Sequence, residues 1–140
     1  MIVLDTNVLS ELAKPDPDPA VLTWVAKQRR AELCTTTVNE AELVYGLALL
    51  PRGRRRDALI QAVARLLGEG LGGRVLVFDR AAAAAYGEIA AKRRTVGRPV
   101  ATADGQIAAI AQARGATLVA TRDADGFDGC GIRQVNPWAG

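Results

Sequence analysis

The sequence predicts an α/β domain in which a central, mostly parallel sheet of four to five strands carries helices on both faces, with residues 1–140 forming one unit. Three observations point there. Short runs of strand length occur at Ile2-Val3-Leu4, Glu32 to Thr35, Val75-Leu76-Val77-Phe78, Thr117 to Ala120 and Gly131 to Val135. Stretches of helical periodicity separate them, and strands alternating with helices imply parallel pairing through crossover helices. The 140 residues match one ordinary domain, and a 49% hydrophobic content is enough to line both faces of a sheet. Aromatics are only 4%, so Leu, Val, Ile and Ala must do most of the packing.

The elements follow in order. After the first strand, Asp5-Thr6-Asn7 offers helix-start chemistry ahead of Val8, Leu9 and Leu12. Pro15-Asp16-Pro17-Asp18-Pro19 is a turn whose last proline can open a helix, with Val21, Leu22, Trp24 and Val25 as its apolar face up to Arg30. Thr36, Thr37 or Asn39 can cap a helix running through Leu50, in which Leu43, Leu47 and Leu50 form one stripe. Pro51-Arg52-Gly53 breaks the chain. Ala58, Leu59, Val63, Leu66 and Leu67 mark the next amphipathic helix, ended by the glycine-rich turn Gly68 to Gly73. Asp79 reads as the N-cap of an alanine-rich helix to about Arg94, and Thr102 to Arg114 as a last helix closed by Gly115.

Composition excludes several chemistries. The chain has no histidine, which rules out Ser-His-Asp and Cys-His triads, histidine-held zinc and histidine-based RNA cleavage. The two cysteines, Cys34 and Cys130, show no disulfide or zinc spacing and read as small apolar residues. No apolar run approaches bilayer length, and Met1 to Leu4 runs into Asp5 without the pattern of a signal peptide, so a cytoplasmic protein with no membrane contact is expected. Catalysis, if present, must rest on carboxylates, Lys, Arg, hydroxyls or an oxygen-held metal.

The acids then stand out by position. Asp5 follows the first strand, Glu42 lies early in the helix after the second, Asp104 is near the start of the last helix, and Asp123 follows the fourth strand. In a parallel sheet these places open onto one edge, the carboxyl ends of the strands, where such folds bind ligands. Taken singly, Asp5 and Asp104 read better as helix caps, Glu42 as a partner of a helix dipole and Asp123 as a turn residue. Together they are hard to explain without a cation. Two carboxylates ~4 Å apart repel by roughly 4 kcal/mol at an effective dielectric of 20. Oxygen ligands alone point to Mg²⁺ or Mn²⁺. The net charge of +3 leaves the body of the chain basic once these acids are set apart, a balance suited to a polyanion. Arg52, Arg54, Arg55 and Arg56 form the densest basic cluster, with Lys92, Arg93, Arg94 and Arg98 next; both are candidate tracks for RNA phosphates, and both read equally as solvated helix ends.

The run Ile2-Val3-Leu4-Asp5-Thr6-Asn7-Val8-Leu9-Ser10-Glu11 resembles the opening of PIN-domain toxins of the VapC type, in particular their FitB-like branch. Ala41-Glu42-Leu43-Val44-Tyr45-Gly46 is similar to the family's second signature, Thr102-Ala103-Asp104 to its third, and Ala120-Thr121-Arg122-Asp123 with Asn136-Pro137-Trp138 to its closing segment. One departure concerns the fourth acid. Many relatives carry Asn at the place of Asp123 and an Asp just before the Phe, where this chain has Gly126 and Phe127; Asp123, Asp125 and Asp128 are the candidates for the missing charge.

The resemblance implies a PIN-like fold and a Mg²⁺- or Mn²⁺-dependent endoribonuclease, the toxin of a type II toxin–antitoxin pair. Asp5, Glu42, Asp104 and Asp123 would hold the metal, with Thr6, Asn7 and Thr121 behind them. Water attack would leave 5′-phosphate ends. Implied partners are an RNA substrate, a DNA-binding antitoxin of VapB or Phd type whose tail enters the acidic groove, and a second copy in a homodimer. Alternatives are an RNA-processing PIN nuclease without an antitoxin and a degenerate, non-catalytic PIN binding module. A haloacid-dehalogenase-type phosphatase needs a second Asp where Asn7 stands, and a receiver domain needs a Lys near the last strand, whereas no Lys follows Lys92.

Overall fold

The computed structural model describes residues 1–139. Five strands, β1 (Ile2–Leu4), β2 (Leu33–Thr36), β3 (Val75–Leu76), β4 (Leu118–Ala120) and β5 (Arg133–Val135), form one sheet in the order β3-β2-β1-β4-β5. Every neighbouring pair is parallel. Six helices join them: α1 (Thr6–Ala13), α2 (Pro19–Ala26), α3 (Thr37–Ala48), α4 (Arg54–Arg65), α5 (Arg80–Thr95) and α6 (Thr102–Ala113). Among the described residues no helix is long and apolar enough to cross a membrane.

Strand alternation divides the core in two. Val3, Cys34 and Val119 point to one face, where they meet Ile89 of α5 and Ile107, Ala108 and Ala111 of α6. Leu4, Leu33 and Ala120 point to the other, against Val8 and Leu9 of α1, Val21 of α2, Leu43 of α3 and Val63 of α4. Small residues permit close layers: a Cβ on Gly105 of α6 would sit 2.9 Å from Tyr86 Cε1 of α5 and 3.0 Å from Val100 Cγ1. Both cysteines are buried and free, and burial pushes the Cys34 thiol up to about 11.

Local chemistry sets the helix starts. Asp5, Asp18, Thr36 and Asp79 each accept a backbone N–H of the helix they cap. Some boundaries differ from the sequence reading. Strand β2 begins one residue later because Arg30–Glu32 forms a 3-10 turn, and α2 stops at Ala26 rather than Arg30. At the sheet edge β3 keeps only Val75–Leu76, while Val77 and Phe78 are exposed and Phe78 lies edge-on to Tyr86. The expected glycine turn after α4 begins as a five-residue π turn, Leu66–Gly70, closed by Leu71 N–H donating to Leu66 O at 2.8 Å.

Candidate active site

The pairing of β1 with β4 places Leu4 opposite Ala120, so the next residues, Asp5 and Thr121, emerge side by side at the carboxyl edge. Asp5 is buried, and both of its carboxylate oxygens are held. Oδ1 accepts from Thr6 N–H and from Asn39 Nδ2, each at 2.9 Å, and Oδ2 accepts from Thr121 Oγ1 at 2.7 Å. Strand β2 brings in α3 beside them. Three residues after Asn39 on that helix, Glu42 accepts from Thr6 Oγ1 at 2.6 Å, while Thr6 Oγ1 in turn accepts from Asn39 Nδ2 at 3.0 Å. Thr6 thus links the first two acids.

The other two acids arrive from α6 and from the loop after β4. Asp104 is the third residue of α6, whose cap position, Ala101, makes no side-chain bond, so Asp104 is not a cap. Asp123 follows Thr121, whose Oγ1 accepts the Asp123 N–H at 3.1 Å. Gly126, next in the 3-10 turn Ala124–Phe127, lies against both acids: a Cβ there would meet Asp104 Oδ2 at 3.0 Å and Asp123 Oδ2 at 3.3 Å. Asp104 reports the charge of the whole cluster. Burial, and then the charges of Asp5, Asp123 and Glu42, push its carboxyl up to about 6, against the helix dipole that favours an anion at this position. Among the described residues none of these four acids forms an ion pair with Lys or Arg.

Of the three acids considered for the fourth position, Asp123 is the one facing Asp104. Its charge acts on Asp104, and its Oδ2 shares the space beside Gly126, whereas Asp128 is turned toward Arg98, whose Nη2 lies 3.4 Å from its carboxylate. The donor set is carboxylate oxygen throughout, which fits a hard cation such as Mg²⁺ or Mn²⁺. Among the described residues, no three metal-binding side chains are gathered closely enough to close a ligand shell.

Beside Thr6 and Glu42 a groove of about 1080 Å³ runs between α1, α3 and α4. Leu43, Leu47, Leu59 and Leu66 contribute to its floor, and Arg55 stands on its wall. Arg52 and Arg54 are exposed at the turn into α4, and Arg94 and Arg98 are exposed at the far end of α5. Arg93 departs from the expectation that it tracks RNA. Its helical phase turns it inward with Ala82 and Ile89; it is 7% exposed, and its guanidinium donates to the backbone oxygens of Arg98 and Asp128. Those donors are spent inside the molecule.

Asn7 donates from Nδ2 to Thr121 Oγ1 at 3.4 Å and accepts the Arg122 N–H at 3.2 Å. Asn39 is the residue the sequence reading missed. Fully buried, it bonds Asp5 and Thr6 and accepts from Thr36 Oγ1 at 2.6 Å. Its signal was a polar side chain one turn before Glu42 on the same helix, masked by its equal fitness as a cap.

Comparison with known proteins gives a consistent picture. The family model described as PIN domain matches residues 2–130. VapC ribonuclease Y4jK of Sinorhizobium fredii is 46% identical over 141 residues, covering 99% of this chain and 98% of that protein. Toxin FitB of Neisseria gonorrhoeae is 37% identical over 138 residues, covering 99% of each. Among solved structures, FitAcB from Neisseria gonorrhoeae superposes with a TM-score of 0.89 at 36% identity, over 99% of both chains.

Proposed function

The chain belongs to the PIN-domain family, and from that premise we propose that it is a metal-dependent endoribonuclease acting as the toxin of a VapC-type toxin–antitoxin pair. The observation that carries the reading is that Asp5, Glu42 and Asp123, from three other segments, lie near enough to Asp104 for their charges to raise its carboxyl, while among the described residues none of the four forms an ion pair with Lys or Arg. Asp5, Glu42, Asp104 and Asp123 would hold Mg²⁺ or Mn²⁺. When bound, the metal neutralises their charge, acidifies water and stabilises the charge that develops on a phosphodiester.

The residues of the chain do the rest. Asn39, Thr121 and the Thr6 N–H fix both oxygens of Asp5, so its lone pairs keep one direction whatever else moves. Thr6 Oγ1 holds Glu42 beside it. Without metal, burial and the charges of Asp5, Asp123 and Glu42 push the Asp104 carboxyl up to about 6, the mark of a charge-crowded site that a cation relieves; Asp104 or Asp123 would help take the proton of the attacking water. Arg52, Arg54, Arg55, Arg94 and Arg98 supply exposed cations for RNA phosphates. The chain acts as a homodimer bound by a DNA-binding antitoxin, whose C-terminal segment approaches the acids along the groove.

The test is cleavage of structured RNA by the purified protein with Mg²⁺ or Mn²⁺. EDTA should stop it, and products should carry 5′-phosphates. Metal-independent cleavage, or products ending in 2′,3′-cyclic phosphate, would overturn water attack.

A further inference from the structure

We propose that Arg93 is a positioning residue that sets how Asp104 and Asp123 face one another; this rests on the reading of those acids given above. Arg93 lies in the last turn of α5 and is buried, where an unpaired cation is costly. Its charge is met by backbone rather than by a carboxylate. Nε donates to Arg98 O at 2.6 Å, and Nη1 donates to Asp128 O and to Cys130 Sγ, the latter at 3.3 Å.

Those partners belong to two different segments. Arg98 sits in the connection that leads directly into α6 and Asp104. Asp128 and Cys130 sit in the loop that leaves β4 with Asp123 and passes Gly126 across both acids. One guanidinium therefore ties together the two stretches of chain that deliver these two carboxylates. The loop is well placed to transmit the restraint. Phe127 is buried in the α5–α6 core, and Gly129, at φ +73°, lies so close that a Cβ would stand 3.3 Å from Arg93 Cδ. Successive turn bonds run from Gly126 N–H to Asp123 O, from Asp128 N–H to Asp125 O and from Cys130 N–H to Phe127 O, linking the clamped residues back to Asp123. The neighbours Lys92 and Arg94 in the same basic run face solvent, so the run hides one internal fastener between two surface charges.

The experiment uses the full chain and the variants Arg93→Met and Arg93→Lys, each alone and combined with Asp123→Asn. Mn²⁺ affinity is measured by calorimetry, RNA cleavage as separate kcat and KM, and loop order by amide hydrogen exchange over residues 123–131. Arg93→Met should weaken Mn²⁺ binding about tenfold, as loss of a partner behind a metal ligand does. It should lower kcat with little change in KM, and speed exchange in the loop. Arg93→Lys, which keeps charge and stem but reaches fewer carbonyls, should fall between and is read alone if Arg93→Met does not fold. In the Asp123→Asn background the Arg93 substitutions should cost clearly less further Mn²⁺ affinity than in the parent, because the facing of two carboxylates that Arg93 sets is lost once one of them is neutral.

Unchanged Mn²⁺ affinity and kcat with only a lower melting temperature would overturn the proposal, as would a full, additive loss on Asp123→Asn. A raised KM with unchanged kcat would return Arg93 to RNA binding and also overturn it. A parent that binds no Mn²⁺ would sink the metal reading itself. The clamp would then stand or fall on hydrogen exchange, with unchanged loop protection in Arg93→Met overturning it.

Discussion

Replacing Asp104 by Asn should make the metal-free protein more stable above pH 6 while abolishing its proposed activity. The folded chain raises the Asp104 carboxyl from the usual 3.8 to about 6, through burial first and then through Asp5, Asp123 and Glu42. The folded state therefore holds its proton more tightly than the unfolded one. As pH rises through the window from 3.8 to about 6, stability is lost; the penalty is absent below it and complete above it. A displacement of about two pH units would be worth roughly 3 kcal/mol for a fully buried group. Asp104 is only half-buried, and solvent screening reduces this to about 1–2 kcal/mol. Asn also removes a negative charge from the first turn of α6, which costs about 0.3–1 kcal/mol. The net gain is about 1 kcal/mol, or roughly 3 °C in melting temperature for a domain of this size. The assay is the difference in melting temperature between variant and parent in EDTA from pH 4 to pH 8, in which the titrations of groups uncoupled from Asp104 cancel. The difference should rise with pH and level off above 6. A difference that is flat, or that favours the parent at pH 8, would refute the coupling of these acids.

Three other outcomes are expected. Asn39→Ala removes both side-chain donors to Asp5 and Thr6 from a fully buried position and should cost about 1–3 kcal/mol in denaturant melts, with a matching loss of activity. Gly105→Ala should cost about 1–3 kcal/mol by overpacking α5 against α6, measured as a lower urea midpoint at unchanged slope. Alanine at Arg54 and Arg55 together should lower the salt dependence of RNA binding by about one unit of log–log slope for each phosphate no longer neutralised, measured by fluorescence anisotropy across salt concentrations.

The elements that position the site were legible because their signals are local. Asp5 and Asp79 cap as their sequences suggest, Pro19 opens α2, and Ile2 to Leu4 forms a strand of a parallel sheet with Val3 and Leu4 buried. The acids were legible as a set because strand ends in a parallel sheet share one edge. What escaped depends on contacts between distant segments. Asn39 looks like a helix-start residue until β1 and β2 bring it to Asp5, 34 positions away. Arg93 follows Ile89 by one helical turn, a phase that turns it inward, but in an alanine-rich helix that single contrast was outweighed by the basic run Lys92-Arg93-Arg94, which reads as a solvated helix end. The choice among Asp123, Asp125 and Asp128 rested on turn geometry, which places Gly126 against Asp104 and draws Asp128 to Arg98.

The most direct test of the central claim is the rate of RNA cleavage in Mn²⁺ for the parent and for Asp5→Asn, Glu42→Gln, Asp104→Asn and Asp123→Asn, each confirmed folded by circular dichroism. If the four carboxylates form one site, every single change brings the rate down to that seen in EDTA. Full activity in Asp5→Asn or Asp104→Asn would contradict the account outright. Full activity in Asp123→Asn would contradict the assignment of the fourth acid.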